Sequence, residues 1–254
     1  MKPMKIATRV IQLGLAAALT LSSSFAIAAE KVLIVVTSHS QMGTTSEKTG
    51  YWLGEVTHPY KELVDAGIEV DIASIAGGKA PVDERSLAEA DTVNQWFVAD
   101  SKHNAKLQQT LKLADLKASD YKAVLFAGGH GTMWDFPQDK ALQQFAADLY
   151  QNNGIVAAVC HGPAALLNIK LADGSYLIAG KQVTGFSNTE EDQVKLTHVV
   201  PFSLQDQLTK RGASYSAAAN WQSKVVVDQR LVTGQNPQSA AAVGQALVKL
   251  LTTK

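Results

Sequence analysis

The chain has 254 residues, 46% of them hydrophobic and 18% charged, with 23 basic and 23 acidic side chains. That length and apolar share suit one large α/β domain or two small ones, with a core that needs no covalent staples. The balanced charge excludes the basic field of a nucleic-acid-binding protein, and no long block of one sign marks an interaction tail.

The first segment reads as an address. Lys2, Lys5 and Arg9 make a positive start, Val10 to Leu21 is a short apolar run, and Ala26-Ile27-Ala28 fits a small-residue cleavage site. The pattern predicts a secretory signal peptide over residues 1–28 and a single domain over 29–254. The run is too short and wrongly flanked for a lasting membrane span. No twin arginine precedes it, so the general export route and a periplasmic location are expected. Cleavage would remove three basic residues and leave a mildly acidic chain with no membrane attachment. Cys160 is the sole cysteine, so an internal disulfide is excluded. In an oxidising compartment an unpaired thiol is a liability, which favours a use for it.

Strand-like and helix-like segments then alternate. Lys31–Ser38 (KVLIVVTS) is a buried strand by its β-branched apolar run. His58–Gly67 reads as a helix closed by glycine, Ile68–Ile75 as the next strand, and Gly77 to Leu116 as a polar excursion that could cover a site. Tyr121–Gly129 is an apolar strand ending in two glycines, and Asp139–Gly154 has helical spacing. Ile155 to Cys160 is a strand, Pro163 to Ile169 begins a helix, VVVDQRLVTG gives further strands, and SAAAVGQALVKLL a closing helix. This alternation predicts an α/β fold, a mostly parallel sheet sandwiched by helices on both faces in three layers. Ligands of such sheets bind beyond the carboxyl ends of the strands.

Three segments with chemical potential fall at such ends. Cys160, in IVAAVCHGPAAL, sits where a strand turns sharply into a helix, the mechanics of a nucleophile elbow. Gly162 permits close approach, Pro163 suits a first helical turn, and a helix N-terminus would stabilise a thiolate. A buried structural cysteine is the alternative. His161 could serve as general base or proton shuttle, or simply be a hydrogen-bonded residue at a helix start. In AGGHGTMWD the residues Gly128, Gly129 and His130 could bind an oxyanion or substrate through inward backbone N–H groups, or form an ordinary turn. Glu55 lies just ahead of the predicted helix, where a carboxylate usually serves the helix dipole. Glu190 and Glu191 read as a helix start capped by Ser187 or Asn188. The six histidines are scattered and neither HExxH nor CxxC occurs, so no metal is expected.

The stretches TGYWLGEVTHPY, AGGHGTMWDFP, AAVCHGPAAL, VTGFSNTEE and LVTGQNPQSA, in this order, resemble the ThiJ/PfpI superfamily, which has a class I glutamine amidotransferase-like fold. They are most similar to its heat-shock chaperone branch, which includes the glutathione-independent glyoxalases (glyoxalase III). The resemblance implies Cys160 as nucleophile, His161 as its triad partner, Glu191 or its neighbour Glu190 as the orienting carboxylate, and Glu55 as an acid/base touching the thiol. Gly129 and the His161 N–H match the oxyanion site. It also implies no cofactor, a small aldehyde as substrate, unfolded proteins as a second class of partner, and a homodimer.

Two departures argue against glutamine hydrolysis. The downstream His-x-Glu pair is missing, since His198 is followed by Val199-Val200, and Ala158 replaces the glycine usual two residues before the nucleophile. The expectation is therefore cysteine-dependent conversion of α-oxoaldehydes such as methylglyoxal to 2-hydroxy acids. A holding chaperone and a thiol redox sensor are the alternatives, with a cysteine peptidase the weakest.

Overall fold

The computed structural model describes Met1, residues 30–88 and residues 90–253. Apart from Met1, the segment read as a signal peptide lies outside the described residues. The fold begins with β1 (Lys31–Val36), α1 (Leu53–Asp65) and β2 (Glu69–Ser74). The excursion after β2 holds α2 (Thr92–Ala99), α3 (Ser101–Gln108) and the short β3 (Leu111–Lys112). Next come β4 (Ala123–Phe126), α4 (Thr132–Asp135), α5 (Lys140–Gln151) and β5 (Ile155–Val159). The last third adds β6 (Gln182–Val183), α6 (Asn188–Gln193), α7 (Leu204–Lys210), β7 (Ser214–Tyr215), β8 (Val225–Asp228), β9 (Leu231–Gly234) and α8 (Ala240–Thr252).

Seven strands form one sheet in the order β3-β2-β1-β4-β5-β9-β8, with β8 alone antiparallel to its neighbour; β6 and β7 make a separate pair. The central strands are apolar along their whole length because helices cover both faces. Val32 to Val36, Ala123 to Phe126 and Val156 to Val159 are fully buried. On one face α1 and α8 pack as a pair. Gly244 makes this possible, since a Cβ there would lie 2.8 Å from Pro59 Cα. On the other face α5 packs on β4 and β5.

Helix α1 starts five residues earlier than the sequence predicts, at Leu53 rather than His58. Pro59, a residue type that suits a first helical turn, lies within the helix. The buried face of Leu53, Val56, Tyr60 and Leu63 overrides that preference. The shift brings Glu55 inside the first helical turn. The polar excursion divides in two: a 3₁₀ turn at Glu84–Leu87 carries Arg85 into the site, whereas α2 packs on α1.

From β1 the chain winds outward through β2 to β3, and from β4 it winds the other way through β5 to β9. The crevice at this reversal is the ligand position of doubly wound sheets. The loops after β1, β4 and β5 meet there.

Candidate active site

Cys160 comes directly after β5, with φ at +59°. That left-handed backbone costs a non-glycine residue on the order of 1–3 kcal/mol and persists only where surroundings impose it. Here Cys160 N–H donates to Gly234 O on β9 at 2.9 Å, and Cys160 O accepts from Phe186 N–H at 2.8 Å. Gly162 then passes so close to β4 that a Cβ would lie 2.1 Å from Phe126 O. The elbow is therefore real, but its thiol is only 4% exposed, at the base of a cavity.

Cys160 Sγ lies 3.3 Å from His161 Nδ1, and His161 Nε2 lies 2.7 Å from Glu191 Oε2. Burial alone would raise the pKa of Glu191, but the His161 and His130 imidazoles more than offset it and hold the carboxyl far below its usual range. An ionised carboxylate can only accept, so His161 carries a proton on Nε2 and, as the neutral imidazole, presents Nδ1 to the thiol as an acceptor. The second oxygen, Oε1, accepts from His130 Nε2 at 2.9 Å. Arg85 Nη2 donates to His130 Nδ1 at 3.3 Å, which fixes the His130 tautomer because a guanidinium cannot accept. Burial, and then the neighbouring His161, lower the pKa of His130 from 6.5 to about 4. Asp83 anchors Arg85 through a two-pronged pair at 2.9 Å and 2.6 Å.

Glu55 approaches from α1. Its Oε2 accepts from Gly128 N–H at 2.8 Å, and its carboxyl hydrogen-bonds the Cys160 thiol. Burial, then the Glu55 charge and hydrogen bond and the Glu190 charge, push the thiol well above its ordinary pKa; the His161 backbone N–H opposes this. The sequence expectation of a thiolate held by a helix N-terminus is corrected here. The elbow leads into a seven-residue 3₁₀ segment, Gly162–Asn168, and the buried thiol faces a carboxyl group.

The structure thus brings Cys160, His161, Glu191, Glu55, Gly128, Gly129 and His130 together. Their positions sort the sequence candidates. The Gly128 N–H already serves Glu55, and a Cβ on Gly128 would lie 2.6 Å from Glu55 Oε2, so this glycine positions the carboxyl group rather than offering a donor. Gly129, at φ +99°, lines the cavity beside Cys160. The His130 ring, expected to contact substrate, holds Glu191 while lining the same cavity.

Glu190 points the other way. It forms a capping box with Ser187 and accepts from Trp221 N–H and Asn236 Nδ2, so it is not the orienting carboxylate. The missed residues are Arg85, Asp83, Phe186 and Trp221. Arg85 and Asp83 sit in a stretch, PVDERSL, that reads as ordinary surface, and no local pattern marks them.

The expectation of no metal rested on scattered histidines, yet folding gathers the ligand atoms of His130, His161 and Glu191 within 4.8 Å of one another. Both Glu191 oxygens already accept imidazole protons, so an ion there would displace the protons that hold the triad.

The DJ-1/PfpI family pattern matches residues 47–250. The chain belongs to the DJ-1/PfpI family. Among curated members, it is 36% identical to the glutathione-independent glyoxalase HSP31 of Saccharomyces cerevisiae, covering 84% of this chain and 94% of that one. It is 32% identical to glyoxalase 3 of Candida albicans, covering 86% and 97%. Among solved structures, the Rapid Encystment Protein 24 KDa of Francisella tularensis superposes with a TM-score of 0.86 at 47% identity, covering 88% and 100%. The glyoxalase III structure from Candida albicans gives 0.81 at 33% identity, covering 86% and 96%.

Proposed function

We propose that the protein is a cysteine-dependent glyoxalase of the glutathione-independent type, converting α-oxoaldehydes such as methylglyoxal to 2-hydroxy acids. The observation that carries this reading is one thiol flanked by two proton carriers, His161 Nδ1 at 3.3 Å and the Glu55 carboxyl. The similarity to glyoxalases over most of the chain supports it.

A thiol with a raised pKa does not attack as a free thiolate. Its proton passes to His161 Nδ1 as sulfur bonds to the aldehyde carbon, and Glu191 stabilises the imidazolium. The imidazolium gives that proton to the aldehyde oxygen to complete the hemithioacetal; Glu55 then removes the proton from the former aldehyde carbon as the hydroxyl proton beside it passes to the ketone oxygen, and an enediolate forms. Return of a proton to the neighbouring carbon yields a 2-hydroxy thioester. Water then adds to the thioester carbon, sulfur leaves with a proton, and the 2-hydroxy acid departs. The Gly129 and His161 N–H groups face the oxygen that carries negative charge in the first and last steps. Purified protein with methylglyoxal should form lactate, and Cys160→Ala should lower the rate by about 10³-fold or more. Equal lactate from both proteins would reject the reading.

We also infer that residues 1–28 direct export and are cleaved after Ala28, a reading supported by the basic-apolar-small pattern. N-terminal sequencing of protein from fractionated cells tests this. Glu30 near a new N-terminus in the periplasmic fraction is expected, and an intact Met1 in the cytoplasmic fraction would reject it.

A further inference from the structure

Resting on the glyoxalase reading, we infer that the cavity above Cys160 takes α-oxoaldehydes bearing an aromatic ring, and that Trp221 is the residue that selects them. The cavity measures about 290 Å³. At roughly 30 Å³ per water molecule it would hold about ten waters, and the single methyl group of methylglyoxal leaves most of that space unfilled.

The walls are aromatic. Trp221 packs edge-on against Phe186 with ring centres 5.7 Å apart, Phe186 lies 4.3 Å from the His161 ring, and Trp52 also lines the cavity. Arg85 contributes a flat guanidinium to the lining, a group that stacks on aryl faces.

Trp221 is held in place at a cost. Its φ is +62°, an outlier for so bulky a residue. The restraint is Glu190, wholly buried and with no hydrogen bond to Cys160, His161 or Glu191. Glu190 Oε1 accepts from Trp221 N–H at 3.0 Å and from Asn236 Nδ2 at 2.9 Å. Its Oε2 accepts from Ser187 N–H at 3.0 Å and from Ser187 Oγ–H at 2.9 Å. A buried carboxylate thus ties the backbone of one cavity-wall tryptophan to the cap of α6 and to Asn236. Strain maintained in this way next to a reactive centre points to a role in recognition.

The reaction is unchanged in kind. An aryl ketoaldehyde and one water give an aryl 2-hydroxy acid: the aldehyde carbon is oxidised to the carboxylic level, the ketone carbon is reduced to a carbinol, and the water supplies the added oxygen.

The test compares kcat/KM for phenylglyoxal, giving mandelate, with that for methylglyoxal, giving lactate. Phenylglyoxal should be preferred by about tenfold or more, the scale at which pockets discriminate small apolar groups. Trp221→Ala should lower that ratio by about tenfold, and Trp221→Phe should retain most of it. Binding of mandelate and lactate, followed by calorimetry, needs no turnover and should favour mandelate only while an aromatic ring occupies position 221. If neither aldehyde is converted, the glyoxalase reading falls and mandelate binding alone decides the cavity. Equal or better use of methylglyoxal, or mandelate binding no tighter than lactate, overturns the inference.

Discussion

Replacing Glu191 by glutamine should disable the enzyme through a tautomer, because its two oxygens face two imidazole N–H groups, His161 Nε2 at 2.7 Å and His130 Nε2 at 2.9 Å. Glutamine has one acceptor and one donor end. His130 cannot yield, since Arg85 occupies its Nδ1 and keeps the proton on Nε2. The glutamine oxygen therefore goes to His130 and its NH₂ faces His161 Nε2. His161 must then carry its proton on Nδ1, aimed at the Cys160 sulfur, and can no longer take the thiol proton. Loss of a correctly oriented general base costs about 10³- to 10⁴-fold in rate, or about 4–5.5 kcal/mol of transition-state stabilisation.

Lactate formation by Glu191→Gln measures the effect as kcat/KM. The same logic requires partial rescue. In the double variant Glu191→Gln with His130→Ala, the glutamine is free to turn its oxygen to His161, and activity should rise about tenfold or more above the single variant. A single variant retaining over a tenth of wild-type activity, or a double variant no better than the single one, would refute the tautomer argument.

Acid should destabilise the fold through the same cluster. His130 titrates at about 4 when folded against 6.5 ordinarily, so between those pH values the unfolded chain takes up a proton that the folded one refuses. Stability should be unaffected by this group above pH 6.5 and fall by about 3 kcal/mol on descending to pH 4. Glu191, held low, adds to the loss below pH 4.5. Urea midpoints across this range check it, and a slope no shallower in His130→Asn would count against it. Gly128→Ala places a Cβ 2.6 Å from both Glu55 Oε2 and Val159 O. It should cost about 1–3 kcal/mol by overpacking and lower turnover by moving Glu55, visible in a melting curve and the lactate assay. Glu190→Gln must turn an NH₂ toward two of the four hydrogens its carboxylate now accepts. About 2–4 kcal/mol of stability should be lost, and an unchanged urea midpoint would show that the donors find other partners.

The architecture was legible because its determinants are local. The β-branched runs before Ser38, Gly128 and Cys160 announce buried parallel strands, and their alternation with helical spacing leaves few topologies. The thiol's chemistry was only half legible. Glycine and proline after Cys160 announce the turn, but the thiol's protonation depends on burial and on a carboxyl group more than a hundred residues away in sequence. Even the placement of Glu55 was only partly legible, because the start of α1 at Leu53 is set by the buried face that packs on the core.

The pair Glu190 and Glu191 shows the same boundary at its narrowest. Adjacent, chemically identical and both near the start of α6, they are distinguished by a single local fact, that Ser187 caps the helix and makes Glu190 its third residue. The capping box then turns Glu190 back toward the Ser187 backbone and on to Trp221 and Asn236. The next position, about 100° further round the helix, directs Glu191 at two histidines drawn from different loops. One carboxylate holds the imidazole beside the thiol and its neighbour braces the cavity wall. The division of labour follows from the cap, but its meaning exists only where β4, β5 and α6 converge.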